Sequence, residues 1–118
     1  MNTAWDKFQG ATLSLARSGS IKDRLADAYH NYLSDISEDE LPRELREEFR
    51  AVSLCFTRER PMLRGEDAAR ATIRKMSNDE ADQLACSVVR IFSVIPRGGP
   101  AVRHAATAQV VPLYVAEA

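Results

Sequence analysis

Cysteine, histidine and glycine are all scarce in this chain, and each scarcity removes a class of protein. Two Cys in 118 residues exclude a disulfide scaffold. A structural zinc site needs about four Cys or His ligands in closely spaced pairs. The whole pool is Cys55, Cys86, His30 and His104, with no two adjacent in sequence. No glycine-rich loop joins a strand to a helix, so no phosphate cradle is expected. Gly98-Gly99 precedes Pro100 and reads as a helix breaker. No serine sits between glycines in a nucleophile elbow, and only two imidazoles could serve as bases. Aromatic residues are missing between Phe56 and Phe92, which removes a stacking platform for single-stranded nucleic acid.

Charge of one sign is missing as well. Sixteen basic side chains meet seventeen acidic ones, excluding a uniformly basic nucleic-acid coat and a uniformly acidic tail protein. No stretch approaches the ~20 apolar residues of a membrane span, and Asp6 and Lys7 interrupt any secretory signal near Met1. A soluble, cytoplasmic protein is expected, with Cys55 and Cys86 as small buried hydrophobes. No metal, cofactor or membrane is expected. Hydrophobic residues make up 45% of the chain, but seventeen are Ala, so the larger ones can build one modest core. The length supports a single domain.

What is present is helical periodicity. Trp5, Phe8, Thr12 and Leu15 mark a first helix that Gly19 should end. Ser20 offers an N-cap to a second helix with the stripe Ile21, Leu25, Ala28, Tyr32 and Ile36. Its solvated face is expected to hold Lys22, Asp23, Asp27, His30 and Asn31. Ser37-Glu38-Asp39-Glu40 is a second capping signal, followed by a third helix from about Pro42 to Arg58. Leu45, Phe49, Val52 and Phe56 form its stripe. A short fourth helix is expected from Glu66 to Lys75. Ser77 and Glu80 make a capping box for a fifth, with Ala81, Leu84, Ala85, Val88, Ile91, Phe92 and Ile95 on one face. The predicted fold is therefore all-α, a small bundle of four to five helices over residues 1–97. An extended, disordered or partner-docked C-terminal tail is expected over 98–118, where Val110 to Val115 is β-prone but broken by Pro112.

One local asymmetry points to function. Residues 58–75 carry six basic side chains (Arg58, Arg60, Arg64, Arg70, Arg74 and Lys75) against three acidic ones, whereas residues 1–57 carry seven against ten. Such a segment can meet phosphates or an acidic partner. The competing explanation is a solvated helix end whose arginines pair with the acids of 35–48. A helix-turn-helix is a poor match, because Pro61 and Gly65 interrupt the connector and the following helix is short and Ala-rich. Leu54, Val89 and Val94 lie off the main stripes, as on helices that contact another chain.

The stretches Leu25-Ala26-Asp27-Ala28-Tyr29, Leu41-Pro42-Arg43-Glu44-Leu45-Arg46 and Ala71-Thr72-Ile73-Arg74-Lys75-Met76-Ser77, with Glu80-Ala81, resemble small uncharacterised all-helical bacterial proteins. The likeness covers residues 20–95 and implies a bacterial, cytosolic setting, with no activity attached. The expected function is a non-enzymatic protein-interaction or regulatory module, with a protein partner or a homodimer. Its contact residues would be Arg58, Arg60, Arg64, Arg70, Arg74 and Lys75. A nucleic-acid-binding regulator using the same segment is the alternative, and an enzyme without a recognisable motif the second.

Overall fold

Thr3 opens the first helix, α1 (Ala4–Leu15), with a capping box. Its hydroxyl accepts from the Asp6 amide at 3.2 Å, and the Asp6 carboxylate accepts from the Thr3 amide at 3.0 Å. The Thr3 amide foremost, and then the Thr3 hydroxyl donating to the same carboxylate at 3.1 Å, hold the Asp6 carboxyl below its ordinary range. The computed structural model describes residues 3–97. Within them it is all-helical, with five α-helices and no strand. The expectations for 98–118 lie outside the described residues.

α1 stops at Leu15, before Gly19. Gly19 instead takes a φ of 114°, which turns the chain into the Ser20 cap of α2 (Ile21–Asn31). Arg24 then reaches back, donating to the Leu15 carbonyl at 2.6 Å and the Gly19 carbonyl at 3.1 Å. A cation on α2 thus caps the negative end of α1.

α2 is shorter than its stripe suggested. It ends at Asn31, and Leu33–Asp35 forms a 3-10 turn. Ser34 donates its hydroxyl to the His30 carbonyl, a local bond that competes with helix continuation. The Tyr32 ring lies over Gly10 of α1, so close that a Cβ at Gly10 would fall 2.3 Å from it. The second capping signal closes a 3-10 turn, Glu38–Glu40, and not the third helix. Pro42 explains this: it forces Leu41 into an extended conformation, so no helix runs through. α3 (Arg43–Phe56) begins immediately after Pro42 and buries the expected Leu45, Phe49, Val52 and Phe56. α4 (Ala68–Lys75) starts two residues later than expected, with Asp67 as N-cap. α5 (Asn78–Val94) starts on the Ser77–Glu80 box, both bonds being 3.0 Å.

α5 is the central helix and packs on α1, α2 and α3, while α4 covers α2 and α3. Phe8, Leu25, Leu41, Val88 and Ile91 are 0% exposed, and each such burial stabilises by about 1.5–3 kcal/mol. Aromatic pairs fasten the helices: Phe8 edge-on to Phe49 at 5.9 Å, Tyr29 stacked on Phe56 at 4.6 Å, and Trp5 tilted on Phe92 at 5.4 Å. The Arg97 guanidinium lies 4.7 Å above the Trp5 ring.

Candidate partner-contact surface

α3 ends at Phe56, short of the expected Arg58, so the basic segment of residues 58–75 comprises the connector after α3 together with α4. The connector is held by one carboxylate. Glu66 accepts from the Met62 and Leu63 amides, both at 3.1 Å, and from Arg74 Nε at 2.7 Å. Its side chain is only 7% exposed, and these bonds, the Arg74 one foremost, draw its carboxyl down to about 2. The Glu66 amide bonds the Leu63 carbonyl, and Gly65 supplies the φ of 76° that closes the loop. The buried Thr72 hydroxyl adds a second fastening: it donates to the Ala68 carbonyl and accepts from the Glu59 amide at 3.0 Å.

The structure divides the six cations. Arg58 pairs with Glu80 at 3.2 Å and Glu59 at 3.6 Å; Lys75 pairs with Glu59 at 3.5 Å; Arg74 pairs with Glu66. Arg60, Arg64 and Arg70 are exposed and make no ion pair among the described residues. The expected pairing with the acids of 35–48 is not seen among them. Glu38 bonds Arg50, Glu40 bonds Lys7 and Glu48 faces Arg90. The geometry of α3 accounts for this: its fourteen residues place its acidic start about 20 Å from Arg58.

Other sequence expectations need correction. Cys55 and Cys86 are both exposed. Each lies one residue off a buried stripe position, about 100° further round its helix, and so falls on solvent. The face of α2 expected to be solvated is partly covered by α4. Lys22 donates to the Arg74 carbonyl at 3.2 Å. The half-buried His30 ring lies 2.9 Å from the Ala26 carbonyl and 3.0 Å from the Asp67 carboxylate. The two ring nitrogens thus face one acceptor each. The Arg70 amide and, second to it, His30 hold the Asp67 carboxyl below its usual range. Burial, and then Asp67, raises Tyr29.

Several large apolar side chains are exposed as well. Leu54 is 64% exposed, Val94 58% and Val89 40%, which agrees with the surplus faces read from the sequence. The sequence reading did not pick out Met62 at 70% and Leu63 at 57%, side by side in the connector. Their signal was available: two large apolar residues flanked by arginines, outside any helical period.

An open cleft of about 440 Å³ lies between α5 and the α1–α2 turn, lined by Leu15, Ile21, Ala85 and Val89 and rimmed by Arg24, Asp82 and Arg90. No group of three or more His, Cys, Asp or Glu positioned to hold a metal occurs among the described residues. No described helix is long and apolar enough to cross a membrane. No family model matches the chain, and no curated protein or solved structure is significantly similar to it.

Proposed function

We propose that the chain is a non-enzymatic protein-interaction or regulatory module that meets an acidic protein partner through its basic segment. The observation that supports this is the set of exposed cations Arg60, Arg64 and Arg70, without an ion pair among the described residues and carried on a connector and helix held by Glu66, Asp67 and Thr72. Fixed charges outside an ion pair lose nothing internal when a partner binds, and they raise the rate of encounter with an acidic surface. A protein partner is favoured over a single strand because no aromatic side chain accompanies these arginines, and over a duplex because the connector and the short, Ala-rich α4 match a helix-turn-helix poorly. Two exposed thiols suit a reducing, cytoplasmic setting.

The test is affinity capture by the full chain from nuclease-treated native lysate, beside the triple variant Arg60→Glu, Arg64→Glu, Arg70→Glu. The expected result is a stoichiometric protein that survives nuclease and is lost with the variant. Partners that vanish with nuclease would move the segment to nucleic acid, where steep salt dependence would accompany binding.

A further inference from the structure

The connector carries an arrangement that charge alone does not explain. Met62 and Leu63 are the adjacent exposed apolar pair at its tip, between Arg60 and Arg64. Loops that expose large apolar residues are ordinarily loose. This one is fastened from inside: the Met62 and Leu63 amides both donate to Glu66, whose carboxylate is in turn gripped by Arg74. Lys75 Nζ lies 3.2 Å from the Met62 sulfur and adds a further contact. The backbone polar groups are turned inward and the apolar side chains outward.

We infer that the loop from Arg60 to Arg64 is a preformed docking prong whose Met62 and Leu63 enter an apolar pocket rimmed by carboxylates on a partner protein. This rests on the protein-interaction reading above and adds the anchor to it. Interface energy concentrates in a few buried anchors surrounded by a polar rim, and Met is enriched among such residues. A loop already ordered in the free protein avoids the entropy of immobilisation on binding. The flanking guanidiniums complement acidic groups at the pocket mouth and disfavour a basic one.

The same observations argue against other occupants. The rim of the chain's own apolar cleft carries two cations, Arg24 and Arg90, against the single carboxylate Asp82, so a second copy offers Arg60 and Arg64 a net like charge and is the poorer receptor. Three cations without an ion pair among the described residues give only marginal adsorption to an anionic bilayer, and no described aromatic side chain sits in the Arg60–Arg64 loop to anchor it.

The experiment uses the full chain with the photoreactive substitution Met62→p-benzoylphenylalanine, cross-linked in native lysate and read by mass spectrometry. The expected product is one protein, cross-linked at an apolar pocket bordered by Asp or Glu. That protein, purified, should bind the wild-type chain and lose affinity about 30-fold or more with the double variant Met62→Ser, Leu63→Ser. The variant Arg60→Glu, Arg64→Glu should slow association and flatten its salt dependence. All four side chains are exposed, so both variants should melt like the wild type.

If the Met62/Leu63 variant binds normally while the charge variant does not, the prong is wrong and the basic-surface reading stands. If neither variant weakens binding, both are wrong. Cross-links to another copy of this chain, scattered cross-links or none overturn the prong. Binding to phosphatidylserine vesicles or to duplex DNA with no cross-linked protein overturns both.

Discussion

Two connectors of equal length make opposite use of their apolar residues. Residues 32–42 join α2 to α3, and residues 57–67 join α3 to α4. Both are fastened by side chains: Lys7 to the Asp35 carbonyl and Glu40, and Arg50 to Glu38, in the first; Arg74 to Glu66, and Thr72 to the Glu59 amide, in the second. The first turns Leu33, Ile36 and Leu41 into the core. The second holds Met62 and Leu63 in water. A connector whose apolar residues are buried is part of the fold. One that is equally well tied but faces outward leaves its apolar side chains open to the contact proposed above.

The contrast can be broken in order of size. Leu41→Ala in the first connector leaves a cavity at a fully buried site and should cost about 2–5 kcal/mol in denaturant unfolding. A loss under about 1 kcal/mol would mean that the connector is not core. Thr72→Val strands the Glu59 amide and should cost about 1–3 kcal/mol, less if water replaces the hydroxyl. A neutral result there would remove the second fastening.

A smaller, local effect should follow pH. The Glu66 carboxyl is depressed in the folded state to about 2. Its contribution is therefore complete above the unfolded carboxyl range near 4.3 and is lost as pH falls toward 2. Amide protection at Met62 and Leu63 should hold at neutral pH and decline through that window, while Ile36, bonded to the Leu33 carbonyl, lags behind. Glu66→Gln should lower the same two protections at neutral pH; unchanged protection would show that the loop is held by other means. Smallest of all, Leu63→Ala should move stability by no more than about 0.5 kcal/mol. A larger loss would mean that Leu63 is packed against the bundle and cannot serve as an anchor.

The parts of this architecture that are legible in the sequence are those set by near neighbours. Ser77 with Glu80, and the stripe Leu45, Phe49, Val52 and Phe56, are local patterns with one structural solution. Ser37 with Glu40 is equally local, yet it closes a single 3-10 turn, because Pro42 keeps Leu41 extended and starts the helix afresh. The candidate surface was half legible. The charge asymmetry marked the segment, but which cations are consumed depends on Glu66 and Glu80 arriving from other elements, which no spacing rule encodes. The partial cover on His30 and Lys22 has the same origin, since α4 lies over α2. Cys55 and Cys86 went the other way, because hydrophobic character predicts burial only on average.

The Trp5–Phe92 contact joins α1 to α5. In a chain made from its N-terminus at ~5–20 residues per second, the Trp5 ring is finished on the order of ten seconds before Phe92 exists. Throughout that interval α1 can close against α2 but not against α5. The nascent bundle therefore lacks the Phe92 ring against its tryptophan, and synthesis itself sets the earliest moment at which the fold can be completed.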